Sequence, residues 1–346
     1  MEFGLSEDQV MLQETIRRFV ADEASLDTIR AIADQESGAQ NVLDEKIAAL
    51  GLDGLLVPEP EGGSGLGVLD AILVQECFGY GLVPSRFLAN TVAAYAFGAS
   101  GSELAGNIAS GAAKFGLALN DVVSRRDSSG IQVSGTSVTG KSLMAIDVRD
   151  ATHLLFYSDD AIHCGAPDET SVVKTIDRTR EFFEVAVAGA DPDAKTADVE
   201  QVFAVASVLI ASDTLGAAQA MLDKAVVYAS EREQFGRVIG SFQAVKHLCA
   251  EMAAKLEPCR ALLWHAAHAI DENDDEAITM AYLAKAHMSD VATFIARTST
   301  EVHGGMGFTD LVGLHYWFKR IGVNRQLFGT PMVLRERAAR QQGLVA

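Results

Sequence analysis

The hydrophobic pattern of this chain changes period twice, and that order limits the fold more than any single residue does. From residue 1 to about 112 apolar residues recur at helical spacing, as in Val10, Leu12, Ile16, Phe19 and Val20, behind an N-capping Ser6 and the first-turn acids Glu7 and Asp8. From about 113 to 190 the chain turns to short β-branched runs, such as Ile131-Gln132-Val133 and His153-Leu154-Leu155-Phe156-Tyr157, separated by Ser-Gly and Thr-Gly turns. A polar linker, Asp191-Pro192-Asp193-Ala194-Lys195, follows, and helical periodicity then returns almost to the C-terminus. The pattern predicts helices over Val202–Tyr228, Gly240–Ile270 with a bend at Pro258, and Ala277–Val302. The expected fold is therefore α+β but mostly α, with a helical domain over 1–112, a small β domain over 113–195 and a helical bundle over 196–346. A chain of 346 residues can bury a large core in such a layout without disulfides or structural metal.

Charge and cysteine usage exclude several classes of function. A formal charge of −19 repels nucleic-acid phosphates and anionic lipid, so any nucleotide-like ligand needs a local cationic pocket. Cys77, Cys164, Cys249 and Cys259 form no CxxC pair and no zinc spacing, and no secretory leader precedes them, which points to a reduced, cytoplasmic setting. The most apolar run, Val202–Ser212, is shorter than the roughly 20 residues of a membrane span and reads as a buried helix. Gly62-Gly63-Ser64-Gly65 reads as an exposed connection, and the acidic run 271–276 as a solvated turn.

Two segments can carry chemistry. In the run 231–247, Arg232 offers a planar guanidinium suited to clamping a diphosphate, and Phe235, on nearly the same side of a helix end, offers an apolar face for a ring system. Gly236 lets backbone approach closely. In the run 301–309, Gly304, Gly305 and Gly307 break a helix and expose N–H groups. The spacing is not a GxGxxG fingerprint, so no nicotinamide site is expected. His303 reads as a packed histidine, and His315, Trp317, Lys319 and Arg320 as core aromatic plus surface cation.

These two runs, with Phe3–Gln9, Leu55–Glu59 leading into Gly62–Gly65, and Gln75-Glu76-Cys77-Phe78-Gly79, resemble the acyl-CoA dehydrogenases along nearly the whole chain. The resemblance implies a helical N-terminal domain, a small β domain and a C-terminal four-helix bundle, in a dimer of dimers that binds flavin adenine dinucleotide (FAD) across a subunit interface. Arg232, Gln234 and Phe235 would then contact the neighbour's flavin diphosphate, Gln243 would lie along the same groove, and Glu301, Gly304 and Gly305 would line the adenosine end. Glu301 departs from the family's usual glutamine and sets a carboxylate against a diphosphate.

Two departures are larger. The flavin-ring loop of the β domain has no counterpart in 117–126, and the family's Tyr-Glu-Gly-Thr run reads Leu327-Phe328-Gly329-Thr330 here, which puts Phe328 where the base belongs. The alternative base position, on the helix before Arg232, holds Ala206. Asp213 is the remaining candidate on that helix, either a base or a hydrogen-bonded structural acid. The resemblance to the base-lacking subunit of short, steroid-type heterotetramers implies α,β-desaturation of a bulky acyl-CoA with a homologous subunit and an electron-transfer acceptor. The rivals are a self-sufficient homotetramer using Asp213 and a non-catalytic structural subunit.

Overall fold

A computed structural model describes residues 4–345 except 37, 99–102, 121–129, 159 and 192–195. The first block folds as helices: α1 (Glu7–Glu23), α2 (Leu26–Ala33), α3 (Ala39–Ala48), α4 (Val68–Gly81), α5 (Phe87–Gly98) and α6 (Glu103–Ala109). Ser6 starts α1 with a reciprocal cap, its Oγ accepting from Gln9 N while Gln9 Oε1 accepts from Ser6 N. The glycine-rich stretch after Pro58 folds back on its own backbone: Gly65 N donates to Val57 O, and a side chain at Gly63 would collide with that same carbonyl.

The middle block is a seven-stranded sheet, with β1 (Phe115–Ala118), β2 (Gly130–Ser134), β3 (Ser137–Ile146), β4 (His153–Ser158), β5 (Ala161–Gly165), β6 (Pro167–Val173) and β7 (Phe182–Val187). The order is β5-β4-β1-β3-β7-β6, with β2 paired to β3, and among the described residues only the β1–β4 pairing is parallel. β1 is buried along its whole length between helix and sheet partners. Most of the expected linker, residues 192–195, lies outside the described residues.

The last block is built on α7 (Val199–Glu231), α8 (Gln243–Asp271) and α9 (Ala277–His303), with a fourth element broken into α10 (Leu314–Asn324) and α11 (Pro331–Gln341). α7 is long and apolar enough to cross a membrane by length and composition, yet 94% of its most apolar window is buried. Apolar residues all round a helix mark a core helix, and α7 packs on α4, α8, α9 and α10. Its crossing with α4 brings backbone to backbone: a Cβ at Gly216 would strike Glu76 O, and one at Gly79 would strike Asp213 O. α8 runs uninterrupted through Pro258. The acidic run after it is not wholly solvated, because Asp271 accepts from Val68 N at 2.6 Å and Leu69 N at 3.0 Å and so caps α4.

Candidate functional site

Tyr282 Oη donates to Glu200 at one end of the bundle, and Ser299 Oγ donates to Met221 O toward the other, so α7 and α9 run parallel. Their C-terminal ends meet where Tyr228 stacks on His303 at 4.5 Å, and His303 Nδ1 is 2.8 Å from Ser299 O. His303 is therefore a packed side chain. This parallel arrangement brings the two glycine-broken runs, 232–243 and 301–305, to one end of the bundle.

Arg232 ends α7 in extended backbone, and its N–H closes on Tyr228 O. The chain then forms a two-residue hairpin instead of prolonging the helix end: β8 (Glu233–Gln234) pairs with β9 (Arg237–Val238). Phe235 and Gly236 form the turn with φ of +54° and +76°, the paired positive angles of a tight hairpin turn. Phe235 thus does not share a helical face with Arg232; it stands at the tip, 93% exposed, in a conformation costly for an aromatic residue. Arg232 makes no ion pair among the described residues. Arg237 lies 4.0 Å over the ring of Phe242, which precedes α8 and supplies no side-chain cap, so the first N–H groups of α8, beginning at Gln243, have no capping side chain. Gly304, at φ +56°, and Gly305 leave open space where a side chain would stand. Two cations, an uncapped helix start and open glycine backbone suit a diphosphate. Gln234, Gln243 and Glu301 lie exposed on the same end.

The interior is organised differently. Asp213 is fully buried, and its carboxylate accepts from Asn324 Nδ2 at 2.6 Å, Gln75 Nε2 at 2.8 Å, Arg320 Nη1 at 3.3 Å and Arg180 Nη2 at 3.5 Å. Burial alone would raise its pKa, but Arg320, Arg180 and the two amides outweigh that and hold it below the ordinary carboxylate range. A shielded acid with its lone pairs engaged and its proton affinity lowered is poorly suited to act as a base. Of the two readings of Asp213, the geometry favours the hydrogen-bonded structural acid, here the anchor of a buried ion-pair cluster.

Arg320 is corrected, from surface cation to the centre of that cluster. Its Nε donates to Asp177 at 2.9 Å and its Nη2 to Thr179 O at 2.8 Å, while Nη1 reaches Asp213. α10, α7 and the β6–β7 connection are thereby tied together. The sequence does carry a signal for this, since Leu314, Trp317 and Ile321 mark the buried face of α10, and Arg320 and Asn324 fall on it at spacings of three.

Between α10 and α11 the turn 325–330 carries Phe328, fully buried at φ +54°, followed by Gly329 at φ +118°. Phe328 N donates to Asn120 Oδ1 at 3.1 Å, and Asn120 Nδ2 donates to Met144 O at 2.6 Å, so the sheet holds one side of the turn. On the other side Lys285, which sequence reasoning missed, donates to Gly329 O at 2.5 Å. Ala206 is also fully buried. Of the expected flavin-ring stretch, 117–126, residues 121–126 lie outside the described residues.

A separate cleft of about 370 Å3 opens between α3, the start of α5 and the sheet, lined in part by Asp44, Arg86, Asp147 and Arg149. Burial pushes the Asp147 carboxyl up to about 6, against Arg180, Arg86 and Arg320.

The chain matches the family models of the acyl-CoA dehydrogenase N-terminal domain over residues 6–105 and of the C-terminal domain over 197–343. It is 30% identical over 332 residues to acyl-CoA dehydrogenase IpdE2 of Mycolicibacterium smegmatis, covering 94% of this chain and 96% of that protein. In fold it is similar to the steroid ACAD Tcur3481-Tcur3483, with a TM-score of 0.85 and 23% identity over 97% of this chain and 98% of that one. It also superposes on PigA with FAD and proline, with a TM-score of 0.82 and 21% identity over 99% of this chain and all of that one. With both terminal domains matched and a relative aligned almost end to end, the chain belongs to the acyl-CoA dehydrogenase family, whose cofactor is FAD.

Proposed function

We propose that this chain is one half of a shared flavin assembly: an acyl-CoA dehydrogenase-type subunit that works with a homologous subunit in the α,β-desaturation of an acyl-CoA thioester. One observation carries this reading. The two positions where the family resemblance expects a base hold Phe328 and Ala206, both fully buried, and Asp213, the remaining candidate on α7, is engaged in ion pairs. A positioned base is worth roughly a hundredfold to ten-thousandfold, so the carboxylate that removes the α-proton comes from the partner.

FAD, when bound, supplies the hydride acceptor. This chain's contribution is to hold it: Arg232 and Arg237 neutralise the diphosphate, the α8 start donates N–H groups, and Gly304 and Gly305 admit the cofactor's adenosine end. Phe235 meets the apolar ring system of the partner's site. Glu301, being exposed, turns its carboxylate to solvent. The name of the steroid ACAD neighbour joins two proteins and supports a bulky, steroid-derived acyl group and a two-component tetramer. An electron-transfer acceptor, a cytoplasmic setting and the absence of nucleic-acid and membrane partners complete the proposal.

The test is to express the chain alone and with a homologous subunit, then measure flavin absorbance per chain and turnover. Half-stoichiometric flavin with activity only in the mixture is the expected result. Full flavin with turnover in the solo protein overturns the proposal, and a colourless mixture favours a structural subunit.

A further inference from the structure

Lys285 sits in the middle of α9 with 1% of its surface exposed, the sole lysine among the buried residues described. Its Nζ donates to Gly329 O at 2.5 Å and reaches Arg325 O at 3.4 Å, so it bridges the two ends of the 325–330 turn. That turn holds two consecutive residues at positive φ, one of them the bulky Phe328, and such backbone persists only where surrounding contacts impose it. Asn120 grips the turn from the sheet through the Phe328 N–H. The carbonyls that face the bundle have Lys285. A methionine would fill similar space without desolvating an amine, so the hydrogen bonds are what the lysine adds.

We propose that Lys285 is a positioning residue: it latches the 325–330 turn to α9 and so fixes where residue 328 stands. The weight of this for function rests on reading that turn as a wall of the acyl site.

The latch responds to protons. Burial, with the nearby Arg325 guanidinium acting in the same direction, lowers the amine's pKa to about 7. Several charged groups on the packed elements are engaged elsewhere. Asp290 of α9 pairs with Arg325 and with Arg335 of α11, Glu200 of α7 takes Tyr282 and Arg337 of α11, Lys255 of α8 pairs with Glu251, and Arg320 of α10 pairs with Asp177 and Asp213. When the turn opens and the amine meets water, its pKa returns toward the ordinary lysine value of about 10.4, so opening takes up a proton across the interval between these values. Raising the pH therefore closes the latch, and the opening constant falls about tenfold per pH unit through that window.

The experiment is amide hydrogen exchange of the turn, resolved at the Phe328 N–H, on the full chain between pH 7 and 9 and corrected for the intrinsic pH dependence of exchange. The wild-type opening constant falls about tenfold per unit, and in Lys285→Met it becomes independent of pH. An unchanged slope in Lys285→Met overturns the proposal. If that variant does not fold, the wild-type profile decides alone, since a flat profile overturns it equally. The measurement needs no flavin, acyl-CoA or partner, so it can fail while the shared-site reading stands, or succeed while that reading fails.

Discussion

The interior cluster around Asp213 and the bundle end around Arg232 are both built from arginines and polar side chains, yet their charges are disposed in opposite ways. Inside, Asp213 is met by two guanidiniums and two amides, and Arg320 spends donors on Asp177, Thr179 and Asp213. At the bundle end Arg232 pairs with no described carboxylate, the start of α8 has no side-chain cap, and Phe235 projects outward. The interior has consumed its charge in folding. The bundle end holds its charge unspent, which is the condition for binding something the isolated chain does not contain.

The sharpest way to break this contrast is Asp213→Asn. Removing one partner from a buried ion pair strands the others, and the expected cost is about 3–5 kcal/mol of folding stability, read from urea unfolding at pH 7. The pH dependence has a definite sign. Because the folded pKa of Asp213 is depressed, its contribution is present above the unfolded value of about 3.9 and is lost only as pH falls through the lower folded value. Wild type and variant should therefore converge only in strong acid. A variant of unchanged stability that lost turnover would restore Asp213 as a base and erase the distinction between the regions.

Arg232→Ala should behave in the opposite way. Hydrogen bonds to charged groups contribute about 1.5–3 kcal/mol, so flavin affinity of the assembled protein should drop roughly tenfold to a hundredfold, by fluorescence titration. The unfolding curve of the isolated chain should not move, because Arg232 makes no ion pair among the described residues. A loss of chain stability comparable to that of Asp213→Asn would mean that the charge at the bundle end is also consumed in folding.

The two regions were unequally legible in the sequence. Periodicity located the helical blocks and the strands because burial on one face leaves a regular mark, and α7 emerged at Val199–Glu231 against an expected Val202–Tyr228. The run around Arg232 was conspicuous because an arginine, an aromatic and glycines lie within a few residues. Its geometry was not. The Phe235-Gly236 pair reads equally well as the end of a helix, and only the pairing of Glu233 with Val238 and of Gln234 with Arg237 makes it a hairpin. The interior cluster was hidden because its members come from four segments far apart along the chain: Gln75 from α4, Asp177 and Arg180 from the β6–β7 connection, Asp213 from α7, and Arg320 and Asn324 from α10. Lys285 was hidden for a related reason, since its partners are backbone carbonyls, which carry no sequence signature.

Asp147 lies between the two extremes, neither saturated nor free, and refines the contrast. Its folded pKa is raised to about 6, so its favourable contribution is complete below the unfolded value near 4 and is lost as pH rises through 6. At pH 7 the ionised, largely buried carboxylate is a liability. Asp147→Asn tolerates the positive φ of +58° at this position and should stabilise the chain by about 1–2 kcal/mol at pH 7, allowing for screening at the cleft. The gain should vanish at pH 4, by urea unfolding at both values. A gain that persisted at pH 4 would assign the effect to packing and not to ionisation.

Phe235→Ala should have the smallest effect on the chain itself and for that reason isolates the role of the bundle end. The ring is 93% exposed and touches only Phe242 edge-on at 6.1 Å among the described aromatic rings, so the unfolding free energy should change by less than about 1 kcal/mol. An aromatic kept at positive φ on a hairpin tip has little to gain from its own fold, and its apolar surface is recovered only if another chain covers it. Fully burying such a side chain is worth about 1.5–3 kcal/mol, so the variant should weaken the assembly roughly tenfold or more by sedimentation while leaving the monomer intact. If assembly were unaffected, the exposed ring would face solvent in the working protein, and the cofactor edge would have to be satisfied by Arg232, Arg237 and the α8 start alone.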